Sequence, residues 1–203
     1  MTALPSIRRK HRRPVPLREH AVEDLRFIRQ TIERASAVTA FPGWGQVAIG
    51  VTALAASGLA ARAANATAWL AIWIGEAVLA VAIGSAAMAI KSRSSGPLFQ
   101  SGAWRRFALS FSLPILAGGA FTVRLHQAGW HDALPGVWML VYGVGVAAGG
   151  AFSVAAVRTM GYAFMVMGAV ALFAPGPRDM WMAAGFGGLH ILFGAWIARR
   201  HGG

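Results

Sequence analysis

The chain has 203 residues, 56% of them hydrophobic, with a formal net charge of +12 and no cysteine. Disulfides and thiolate metal sites are therefore excluded. A basic excess spread over a soluble surface would suit nucleic acid, but here the basic residues flank long apolar stretches, and membrane topology accounts for most of it.

Residues 1–16 hold Arg8, Arg9, Lys10, Arg12 and Arg13 between Pro5, Pro14 and Pro16. This composition buries too little apolar area to fold alone and predicts a disordered tail. Beside a bilayer, such a cluster binds anionic inner-leaflet headgroups, at about 1 kcal/mol per basic residue; nucleic acid is the disfavoured rival partner. Over 17–40, Ala21, Leu25, Ile28, Ile32 and Ala35 recur at helical spacing, with Glu23, Arg26, Arg29, Glu33 and Arg34 on other faces. That pattern predicts an amphipathic interfacial helix, lying on the membrane or docking a cytoplasmic partner or a second copy. Pro42-Gly43 ends it.

The stretches 44–62, 69–90, 107–123 and 180–198 are nearly free of charge, and crossing the hydrocarbon layer takes about 17–25 such residues. The stretch 134–174 is too long for one helix and carries only Arg158, so it divides into 134–154 and 159–174 with a tight turn between. The expected fold is all-α: a polytopic membrane protein with a six-helix transmembrane domain over 44–198, and a cytoplasmic tail at 199–203. No cleavable signal is expected, because the first apolar stretch starts more than forty residues in.

Threading these spans from the inside places sixteen of the nineteen Lys and Arg residues on the cytoplasmic side, leaving Arg62, Arg124 and Arg178 outside. Translocated loops disfavour basic residues, so both tips are expected in the cytosol. Tryptophan prefers the headgroup level, and all eight fit: Trp44, Trp104 and Trp196 at the inner boundary, Trp69, Trp73, Trp130, Trp138 and Trp181 at the outer one. Asn65-Ala66-Thr67 matches a glycosylation acceptor, but in so short an outer loop it carries no weight.

Within the spans, Gly145, Gly149 and Ser153 lie at fourth-residue spacing, which lets helix backbones approach closely. An offset of 93 superposes Pro42-Gly43 on Pro135-Gly136, Gly50-Val51 on Gly143-Val144 and Gly75 on Gly168. With three helices per unit the repeat would be inverted, as in many secondary transporters.

Only Glu76 and His190 are ionisable well inside the spans; such residues are costly and tend to be functional. Trp69, Trp73, Glu76 and Ala80 recur on one helical face. A carboxylate beside aromatic rings holds an organic cation by charge pairing and cation–π attraction, and its proton can be exchanged for that cation. The bland alternative is a protonated or snorkelling side chain. His190 shares a stripe with Ala183, Gly187 and Gly194, small residues that belong at a helix contact, so it should face the interior. There it could bond a carbonyl, pair with Glu76 or ligate a metal. Met165, Met167, Met180 and Met182 read as core gap-fillers. No catalytic constellation, metal site or cofactor motif is recognised.

The stretch Asp24-Leu25-Arg26-Phe27-Ile28-Arg29-Gln30-Thr31, continuing through Glu33-Arg34-Ala35 to Pro42-Gly43-Trp44-Gly45, resembles the amino end of small bacterial multi-pass membrane proteins. The resemblance covers that segment alone. It implies a bacterial inner-membrane setting and no particular activity.

Two functions from different classes follow. The first is a non-enzymatic membrane protein whose basic amino end contacts lipid or a cytoplasmic partner, in signalling or in support of a complex. The second is a small proton-coupled transporter of a cationic or small organic solute, with Glu76 as the cation site, His190 assisting, and Trp69 and Trp73 as the binding wall.

Overall fold

The computed structural model describes residues 24–28, 42–95, 102–151 and 153–201, which belong to two separate units divided after Glu33. In the first, residues 24–28 are helical and exposed. The rest of the expected helix 17–40 and the basic tail, with Arg8, Arg9, Lys10, Arg12 and Arg13, lie outside the described residues.

The second unit is helical throughout its described length, with six helices long and apolar enough to cross a membrane. These are α1 (Gly43–Ala60), α2 (Ala66–Ser95), α3 (Gly102–Gln127), α4 (Leu134–Gly150), α5 (Ala155–Phe173) and α6, which runs through Arg178–Met182, Ala183–Leu189 and His190–His201. Local chemistry sets the ends. Pro42 precedes α1 in extended conformation. Asn65 caps α2, its Oδ1 accepting the Ala68 N–H at 2.8 Å. α3 closes on Gly129 at φ 75°. The Trp130 N–H donates to the Leu125 carbonyl and the Gly129 N–H to that of His126, the paired bonds of a Schellman motif. Pro135 occupies the first turn of α4, where its missing N–H costs nothing.

The division of 134–174 falls at residues 151–154, a few positions before the expected turn at Arg158. Val154 is extended (φ −61°, ψ 149°) and α5 starts immediately after it, so Arg158 lies in the first turn with its side chain exposed. A lone charge near an interface does not need the turn itself. In the middle of α6, Ala183–Leu189 widens into a π-helical segment, a feature often found at functional sites.

α1 packs along α6 and α2, while α4 packs along α5 and α3. Glycine makes two of these seams very close. A Cβ on Gly50 would lie 2.7 Å from the Gly187 carbonyl oxygen of α6. A Cβ on Gly143 would lie 2.7 Å from the Gly161 carbonyl oxygen of α5, and one on Gly136 would lie 2.9 Å from that of Gly168. These are backbone-on-backbone crossings. The expected stripe of Gly145 and Gly149 does something else, since both receive the rings of Phe111 and Phe107 from α3.

The 93-residue offset does not map onto equivalent contacts. Gly43 and Gly50 face α6, the sixth span, whereas Gly136 and Gly143 face α5, the fifth; Gly168 lies in that seam while Gly75 has nothing nearby.

α2 and α3, consecutive in the chain, do not pack along one another among the described residues. In their apolar windows only 11% of residues are buried, against 39–50% in the other four. They stand as the two outer walls of a trough whose floor is α1, α4, α5 and α6.

Candidate functional site

The trough has a volume of about 570 Å³. Its α2 wall runs from Trp73 to Met88 and its α3 wall from Phe107 to Thr122; each is about 22 Å long at about 1.5 Å per residue. Among the described residues, Glu76, His190 and Tyr142 are the only ionisable side chains lining it.

Glu76 is buried at 9% exposure. Among the described residues it meets no cation, and its one hydrogen bond is with Thr52 of α1, Oγ1 to Oε1 at 2.8 Å. Thr52 Oγ1 also lies 2.9 Å from the Ile49 carbonyl. A hydroxyl has one hydrogen to give, so these two acceptors compete for it. When Glu76 is ionised, the hydroxyl donates to the carboxylate. When Glu76 carries a proton, the acid donates to Oγ1 and the hydroxyl turns to Ile49. Both protonation states of Glu76 therefore have a partner within one rotation of a bond.

His190 does not pair with Glu76. Its Nδ1 lies 2.9 Å from the Phe186 carbonyl and its Nε2 lies 2.7 Å from the Tyr142 hydroxyl. A carbonyl only accepts, so Nδ1 carries the hydrogen, and in the neutral ring Nε2 accepts from Tyr142. With 2% exposure, His190 is packed by the rings of Tyr142, Phe164 and Phe186. The interior position expected of it is observed, but it does not share a contact surface with Gly187 and Gly194. Those glycines meet α1, while the imidazole meets α4 and α5. The π segment changes the angular register of the helix immediately before His190.

Trp73 lines the trough, tilted against Phe186 at 6.4 Å between ring centres; its indole N–H is buried without a partner. Trp69 does not line it. Its ring, 2% exposed, stacks on Trp138 at 5.7 Å and donates through Nε1 to Asp179 Oδ1 at 2.8 Å. Asp179 also accepts from the Ser57 hydroxyl through its backbone carbonyl at 2.9 Å. Arg178 lies over the Trp69 ring at 5.0 Å and reaches exposed Asp132 at 3.4 Å. Trp69 thus ties α2, α1 and α6 together above the trough. Trp69 and Trp73 were expected near the outer boundary; whereas Trp44 and Trp130 are 64% and 67% exposed, these two rings are buried within the fold.

Sequence reasoning missed Thr52, Tyr142, Gln46 and Asp179. The hydroxyls of Thr52 and Tyr142 are ordinary in apolar helices and give no signal until a partner helix is placed. Gln46 offered one, as an amide inside the first span; it lines the Pro42 end of the trough with Oε1 buried and unpartnered. Asp179 was an acid beside a span end, and its service to Trp69 appears only in three dimensions. No three His, Asp or Glu side chains among the described residues converge to hold a metal ion.

No protein-family model, curated protein or solved structure matches this chain, so its function is argued from the trough itself.

Proposed function

We propose that this chain is a six-span integral protein of a bacterial inner membrane, with both tips in the cytosol, that binds a small organic cation at Glu76 and exchanges it for a proton. The outward faces of α2 and α3 support the membrane setting. Val78, Leu113 and Leu116 are each about two-thirds exposed, and an apolar surface of that kind is a liability in water. The one-sided placement of basic residues supports the orientation.

The observation that carries the reading is a buried carboxylate, set in an aromatic-walled trough, that among the described residues has no cationic neighbour and one partner, which serves it charged or neutral. An ionised carboxylate in such a setting is stabilised by a cation, and Trp73, one turn away on the same face, offers its ring to that cation. His190 and Tyr142 bond each other and hold the floor of the trough; they are positioning residues. No covalent chemistry is assigned.

In liposomes holding the purified chain, addition of a series of membrane-impermeant quaternary ammonium ions should drive proton efflux, one proton leaving for each cation that enters, and Glu76→Gln should abolish it. Equal efflux from parent and variant, or none from the parent with any of these ions, would remove the reading.

A further inference from the structure

The position of Glu76 along the trough carries more information than its burial. Just above it the space is closed by Trp73 and Trp138, with Trp69 stacked behind. Below it the α2 wall continues through Ala80 and Gly84 to Met88, about 18 Å at about 1.5 Å per residue. Over that length no side chain on the α2 wall is ionisable, and Ser85 is its one polar group. A headgroup held at Glu76 therefore has room for the rest of its molecule in one direction only, and that room is long and mostly apolar, with the His190–Tyr142 pair on its floor and the Gln46 amide at its Pro42 end.

The way in is equally specific. Among the described residues α2 and α3 do not pack along one another, and these leave the trough open along the side between them. Its lips carry small residues, Ala77, Ala80 and Gly84 on α2 and Gly118 and Gly119 on α3. A Cβ on Gly84 would meet only Ile49 Cδ1 at 3.7 Å, and one on Gly119 would meet nothing within 4 Å. If the helices cross a bilayer, that slit faces the acyl chains.

We infer that the cation is a single-chain amphiphilic amine, which enters sideways from the bilayer between α2 and α3 and seats its ammonium at Glu76 with its alkyl tail running toward Met88 and Phe107. This rests on the proposed cation site and adds to it the substrate class, the orientation and the route. Charge complementarity selects the head, and the one-sided length selects the tail. Because lipid is as apolar as the trough wall, the tail contributes fit and little driving force; selection falls on the head and on prior residence in the membrane.

The test uses the full chain in zwitterionic phospholipid nanodiscs and a dodecylamine carrying a diazirine at its far end. Photolabelling should fall on peptides containing Gly84–Met88 and Phe107–Phe111, should be removed by excess dodecylamine but not by a hundredfold excess of ethylamine, and should drop at least tenfold in Glu76→Gln. Gly84→Leu, which fills the channel below the headgroup, should shift the label away from Met88. Label spread evenly over outward residues such as Val78, Leu116 and Val166 would overturn the inference. Displacement by ethylamine as effective as by dodecylamine would overturn it while leaving a water-accessible cation site intact. Undiminished labelling in Glu76→Gln, with an unchanged circular dichroism melt, would remove both.

Discussion

The α4–α5 seam and the α2–α3 trough are built from the same stock of glycine, alanine and aromatic residues, yet one is closed to the width of a backbone and the other holds about 570 Å³. In the seam, Gly136 and Gly143 are met by Gly168 and Gly161 from the facing helix, so each absent side chain is matched by a backbone that fills its place. Along the trough, a Cβ on Gly84 would meet only the tip of Ile49 at 3.7 Å and one on Gly119 would meet nothing within 4 Å. A small residue brings helices together only where the opposite surface is also small; where it is not, the same residue leaves room. In this chain the room coincides with the buried carboxylate.

That contrast can be broken at its hardest point first. Trp69→Ala removes the ring that joins α2 to α6 and strands Asp179 and Arg178; denaturation of the micellar protein should show a loss of about 3–5 kcal/mol. Gly143→Ala should cost about 1–3 kcal/mol, because its methyl meets the Gly161 carbonyl and the seam must open. Tyr142→Phe leaves His190 Nε2 buried without its partner, for a loss of about 1–3 kcal/mol at the lower end of that range. Gly119→Ala, on the trough lip, should change stability by no more than about 0.5 kcal/mol. If Gly119→Ala proved as costly as Gly143→Ala, the distinction between seam and trough would collapse.

The sequence carried the six apolar stretches well, since a run of about twenty uncharged residues has few alternatives. The expected 69–90 and 107–123 sit inside α2 and α3, and the break in 134–174 was misplaced only because Arg158 was taken for a turn residue. What could not be read was which helix lies beside which. A span that is apolar on every side has no distinctive face, so α2 and α3, adjacent in the chain, gave no sign of standing apart. Glu76 and His190 were visible as ionisable residues in apolar runs. Their separate hydrogen bonds, to Thr52 and to Tyr142, were not, because each partner comes from another helix. Trp69 looked like an interfacial anchor until Asp179, more than a hundred residues away, supplied an acceptor for its indole.

The most direct measurement compares thermal unfolding with and without dodecylamine in the parent, Gly143→Ala and Glu76→Gln. A ligand that binds only the folded state at a hundred times its Kd adds about 2.7 kcal/mol. The account predicts that dodecylamine raises the midpoint of the parent, raises that of the weakened seam variant by a similar step, and leaves Glu76→Gln unmoved. An equal shift in all three proteins would contradict it.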